Sequence, residues 1–184
     1  RRAKGRRALD LGCGAGRNAF SLAAQGWNVV GVDLSVPMLQ SASERARRNH
    51  VDGFCALLGP MDRLPIRSAS FNLVIAHGIW NLARSGAEFR RAIREAGRAA
   101  ASGAGLFVFT FSRNTFPPET QPVPGESFVF TQFSGEPQCF LTEEQLISEL
   151  ASAGFIADPA VPLRELNRPV PGTLRGSAPV IYEG

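Results

Sequence analysis

Residues 9–20 read LDLGCGAGRNAF. A short apolar run meets three glycines at alternate positions, Gly12, Gly14 and Gly16, and a helical pattern follows. This is a strand–turn–helix in which bare backbone can lie against a ligand. The residues around the turn decide which ligand.

Strands and helices alternate outward from it. RALDLG (7–12) is a strand and 16–26 a helix ended by Gly26. Residues 27–35 form a second strand. Val36 to Asn49 form an amphipathic helix with Pro37 in its first turn. Further strands are expected at 53–59, 70–78 and 103–112, the last almost wholly apolar and so interior to the sheet. Residues 86–101 read as a helix with an exposed Arg/Glu face.

Residues 113–141 break the pattern with five prolines and no helical period, an irregular insertion expected on the substrate side. A short strand within 127–133 is the only element expected there. A helix over 141–155 follows, with Thr142 as N-cap and Glu143 and Glu144 in its first turn. The stretches 155–161 and 174–184 are the last strand candidates. These alternating elements predict an α/β fold: one domain over 1–184 with a doubly wound, mostly parallel, seven-stranded sheet and helices on both faces. Ligands of such sheets bind beyond the carboxyl ends of the strands.

The net charge of +4 is local. Five basic residues lie in the first seven, and without them 15 basic residues face 16 acidic ones. The body is therefore not a nucleic-acid surface. No apolar stretch is long enough to span a bilayer, and no apolar segment follows the basic start as in a secretory signal. The chain opens almost at its first strand, as expected where N-terminal residues are missing. Cys13, Cys55 and Cys139 form no CxxC or Cys/His cluster, so no metal site or disulfide framework is expected and a reducing cytoplasm fits.

Two fingerprints fail at the turn. A dinucleotide site needs G-x-G-x-x-G, but Arg17 stands at the third glycine's place. A phosphate-binding P-loop needs a Lys-Ser/Thr pair, which is absent. What remains is D-x-G-x-G-x-G, from Asp10 to Gly16. A carboxylate at Asp10 suits an ammonium group and opposes a pyrophosphate. Asp33, 21 residues after Gly12, stands where an acid meets ribose hydroxyls in a strand–helix–strand unit.

LDLGCGAG resembles the first motif of the class I S-adenosylmethionine-dependent methyltransferases, which have a Rossmann-like fold. The likeness runs along the whole chain: VVGVDLS, GPMDRLP, FNLVIAHGIW, GLFVFTFS and LTEEQLISELASAGF follow in the family's order. It implies S-adenosylmethionine as cofactor and S-adenosylhomocysteine as product. It places Asp10, Gly12, Cys13, Gly14, Gly16 and Arg17 in the cofactor turn. Asp33 falls on the ribose, with Leu34 beside it. Met61 packs on the adenine ring, Asp62 accepts from its amino group, and Ala76 lies at the cofactor's edge. GRNAFSLAAQGWNVVGVD is similar to small-molecule methyltransferases of the tellurite-resistance and thiol type.

His77 is the candidate general base or substrate-orienting group, against a plain histidine at the pocket wall. Trp80 and Asn81 are candidate substrate contacts, with core packing the competing role for Trp80. Arg17 reads either as the partner of a ligand carboxylate or as a solvated arginine, Asn18 either as the helix cap or as support for the loop, and the Cys13 amide is expected near the cofactor. The expected function is methyl transfer to a small molecule by in-line displacement. The alternatives are an RNA or protein methyltransferase, a non-methylating adenosylmethionine-binding protein and, more distantly, an NAD-dependent reductase.

Overall fold

The computed structural model describes residues 6–168 and 178–184. The basic residues Arg1, Arg2 and Lys4 and most of the 174–184 strand candidate's first half lie outside them. Among the described residues, strands run at β1 (Arg7–Leu11), β2 (Asn28–Asp33), β3 (Phe54–Leu58), β4 (Phe71–His77), β5 (Ala100–Phe111), β6 (Val129–Phe130), β7 (Gln138–Cys139), β8 (Arg164–Leu166) and β9 (Ile181–Glu183). Helices are α1 (Arg17–Ala24), α2 (Val36–Arg48), α3 (Gly86–Ala99) and α4 (Glu143–Ser152).

The main sheet has the order β3-β2-β1-β4-β5-β9-β8. Strand β1 pairs in parallel with both β2 and β4, and β2 with β3, while β9 runs antiparallel to β5 and β8. Chain order reverses between β1 and β4. That reversal is the switch point at which doubly wound sheets bind ligands.

Among the described residues the fold divides into two compact units: 6–77 with 95–107, and 78–94 with 108–168 and 178–184. In the first, Ala19 and Ala23 of α1 lie one turn apart and pack on Ala8 and Val29, with Phe20, Trp27 and Phe54 around them. Small residues at i and i+4 bring the helix close to the sheet.

The second unit is built on aromatic packing. Phe89 meets Phe128 edge-on with ring centroids 5.3 Å apart, and Phe140 contacts Phe111 and Phe116 at 5.0 and 4.6 Å. Residues 113–141 are more organised than their sequence suggests. Arg113 donates to the carbonyls of Phe116, Pro117, Pro118 and Thr120 and lies 4.9 Å over the Phe130 ring. Glu126 accepts the Gly86 amide at the start of α3. Side chains here satisfy backbone groups that a sheet satisfies elsewhere.

Helix α4 begins at Thr142 as read, in a capping box with Gln145. The strand expected over 155–161 does not form: Ile156 and Val161 face solvent, and the edge strand is β8.

Candidate functional site

The register of the first unit brings four loops to one edge of the sheet. Leu11 pairs with Val32 on one side and with Ala76 on the other, and Asp33 pairs with Leu58. The segments after β1, β2, β3 and β4 therefore leave the sheet at the same level.

The glycine turn is held by its own backbone. The Gly12 and Cys13 amides both donate to the Val32 carbonyl, at 2.8 and 3.1 Å, and the Gly16 amide to the Cys13 carbonyl. Gly12, Gly14 and Gly16 all have positive φ, 67°, 50° and 84°. A side chain is strained in that conformation. No atom lies within 4 Å of where a Gly14 side chain would begin, so bare backbone faces open space there. Gly16 caps α1 through its backbone alone, so Asn18 is not the cap. The Cys13 amide, expected near a ligand, is spent on Val32, and its thiol is buried and pushed up to about 12, by burial first and then by Asp10 and Asp33.

Asp33 closes the turn. Its Oδ2 accepts the Gly14 amide and its Oδ1 the Ser35 amide, both at 2.8 Å. Each oxygen keeps acceptor capacity for a hydroxyl donor. Leu34 follows with its side chain 69% exposed, an unusual place for a leucine. Arg45, which sequence reading passed over, donates to the Ala15 carbonyl at 2.8 Å and lies over the Phe20 ring. It is 30 residues away in sequence, so no local pattern marks it.

Asp10 is the anomaly of the site. It is 1% exposed, and neither carboxylate oxygen has a hydrogen-bond partner. The Ala19 amide bears on it from the first turn of α1 without reaching hydrogen-bond geometry. Burial raises its pKa from the usual aspartate range to about 7; the Ala19 amide and Arg17 oppose this, and Asp33 adds to it. Buried carboxylates are ordinarily paired, and an orphan on this turn fits a site completed by a cationic ligand group. Arg17 itself is exposed.

Met61 and Asp62 are half-buried in the loop after β3, whose first amide, from Gly59, donates to the Asp33 carbonyl. Ala76 is fully buried at the end of β4, and the half-buried His77 beside it stacks on Phe107 at 6.1 Å. Trp80 needs correcting as a substrate contact. It is fully enclosed in the second unit's core with its ring against Phe89. An aromatic residue just past a strand end packs as readily as it walls a ligand. Asn81 is also buried there, its Oδ1 unpartnered. Among the described residues no cluster of His, Cys, Asp and Glu could hold a metal ion, and no helix is long and apolar enough to cross a membrane.

Two carboxylates on a glycine turn can accept hydroxyls and face a cation, while they repel a pyrophosphate. Known proteins similar to the chain are methyltransferases. The methyltransferase domain family matches residues 9–109. An arsenite methyltransferase from Halobacterium salinarum is 37% identical over 108 residues, 54% of this chain and 27% of that protein. A demethylmenaquinone methyltransferase from Corynebacterium urealyticum is 31% identical over 132 residues, 71% of this chain and 50% of that protein. The chain thus spans half or less of the length of these curated relatives. An S-adenosylmethionine-dependent methyltransferase from Mesorhizobium loti shares the fold, with a TM-score of 0.74 at 19% identity over 97% of this chain and 90% of that one. The chain belongs to the methyltransferase domain family, with the class I, S-adenosylmethionine-dependent fold.

Proposed function

We propose that this chain transfers a methyl group from S-adenosylmethionine to a small-molecule acceptor. The observation that carries the reading is the pair Asp10 and Asp33 on the glycine turn. Asp33 is fixed by two backbone amides and can accept both ribose hydroxyls. Asp10 is an unpartnered buried carboxylate suited to the cationic amino-acid part. Met61 and Asp62 take the adenine side, with Leu34 against the ring.

When bound, the cofactor supplies an electrophilic methyl on a positive sulfur. The chain then has to align the acceptor and exclude water. A soft or already ionised nucleophile needs no base. For an oxygen or amine acceptor, His77 at the end of β4 takes the proton. The near-neutral body and the small-molecule acceptors in the names of the arsenite and demethylmenaquinone relatives support a small acceptor over RNA. Three unpaired cysteines suit a reducing compartment such as the cytoplasm.

Thermal unfolding with S-adenosylhomocysteine or NAD tests the cofactor, because a ligand of the native state raises stability by mass action. S-Adenosylhomocysteine should stabilise and NAD should not; stabilisation by NAD alone refutes the reading. A metabolite panel with a homocysteine readout then tests the acceptor.

A further inference from the structure

Helix α3 carries Glu95 and Arg98 one turn apart, a spacing that reads as an ordinary solvated charge pair. The structure uses it differently. Arg98 Nε and Nη2 donate to the two Glu95 oxygens at 2.7 and 2.8 Å, a fork-to-fork pair. The same guanidinium also reaches into the loop after β3. Its Nη2 donates to the Leu64 carbonyl at 3.1 Å, and its Nη1 to the Ile66 carbonyl and the Ser68 hydroxyl at 2.9 and 3.2 Å. Glu95 Oε2 accepts the Leu64 amide at 2.7 Å. Leu64 is therefore gripped by both its amide and its carbonyl. The loop's other end is tied to β2 by the Gly59 amide on the Asp33 carbonyl, at 3.1 Å.

Met61 and Asp62 lie between these two fastenings. We infer that Glu95 and Arg98 are positioning residues for base recognition: they hold the 60–66 stretch in the conformation from which Asp62 reads the adenine amino group. The inference rests on the proposed adenine role of that loop. Its physical basis is preorganisation, because a loop already ordered does not pay its ordering entropy when the ligand arrives. One planar guanidinium with a carboxylate, two carbonyls and a hydroxyl fixes direction as well as distance, which an ammonium on a flexible stem does not. Arg98 holds the Glu95 carboxyl below its usual range, so the grip persists into mildly acidic solution.

Calorimetric titration of S-adenosylhomocysteine and of S-inosylhomocysteine, whose base carries a carbonyl in place of the amino group, tests it. The wild-type protein should prefer the adenine ligand by roughly tenfold or more. Arg98→Met and Glu95→Gln should lose most of that preference while still unfolding cooperatively. Arg98→Lys, which keeps the charge, should recover only part of it. General loosening of the fold weakens both ligands alike and leaves their ratio unchanged. Variants that keep the wild-type ratio overturn the positioning role and leave the adenine reading standing. A wild-type protein with no preference overturns the adenine reading, and the inference with it. Glu95→Gln, which removes the charge that binds Arg98, carries the comparison if Arg98→Met does not fold.

Discussion

Replacing Asp10 with asparagine should make the protein more stable and a poorer binder of its cofactor. The folded state keeps the Asp10 proton to about pH 7, whereas an unfolded aspartate loses it near pH 4. Between those values the native state holds more protons than the unfolded chain, so stability falls as pH rises. The loss is complete above pH 7 and corresponds to about 4 kcal/mol. Asparagine does not titrate, so the variant should lack this slope. It still buries an unpartnered amide, at a cost of about 1–3 kcal/mol. A net gain of about 1–3 kcal/mol should remain at pH 8. For a chain of this size that raises Tm by roughly 3–10 °C.

The assay is thermal unfolding of both proteins from pH 5 to pH 9, with and without S-adenosylhomocysteine. The proposed placement of the ligand's ammonium near Asp10 favours the ionised carboxylate, so on that reading wild-type affinity should rise as pH rises through 7, with proton uptake by buffer on binding. The variant should lose that dependence and most of the ligand-induced rise in Tm. Equal pH slopes in the two proteins, or a variant less stable at pH 8, would refute the reasoning. Stability sacrificed at a binding residue is a common cost of function.

Asp33→Asn removes the charge behind two backbone contacts and the proposed ribose acceptor. S-Adenosylhomocysteine affinity should fall roughly tenfold to hundredfold, read by calorimetry. His77→Ala should lower kcat by about 10²–10⁴-fold for an oxygen or amine acceptor if His77 is the base; unchanged turnover at saturating acceptor removes it from the chemistry. Alkylation of the native protein at pH 8 should label exposed Cys55 and spare Cys13 and Cys139, whose thiols burial pushes up. Peptide mass spectrometry of the labelled chain checks this, and labelling at Cys139 without unfolding would contradict it.

What could be read from the sequence follows the range of the interactions. Strand β1, the glycine turn and α1 were legible because a short apolar run, positive-φ glycines and a helical stripe are local signals. The place of Asp33 at the end of β2 was legible from the strand pattern. Trp80 was ambiguous, since an aromatic side chain at a strand end satisfies a core as well as a pocket, and only its full burial decides. The β8 strand was misplaced because three residues on a sheet edge carry little periodicity, while the apolar positions of 155–161 proved to be exposed.

Three arginines and a glutamate have structural roles that the sequence did not assign. Arg45 holds a carbonyl of the turn, Arg113 gathers the carbonyls of 116–120, and Arg98 with Glu95 grips Leu64. On a helix, such residues match the pattern of a solvated face. Most of their partners are backbone groups, which carry no sequence signal of their own. A guanidinium has five donors in a fixed fork, so a single arginine can replace several hydrogen bonds that a sheet would otherwise supply. Loops beyond the strand ends do not join the sheet, so their backbone groups need other partners. In this chain, the glycine turn's arginine, the insertion's arginine and the α3 pair supply that missing order. The glycine motif is therefore legible in the sequence, while arginines remote in sequence or on a helix's charged face hold the loops in place.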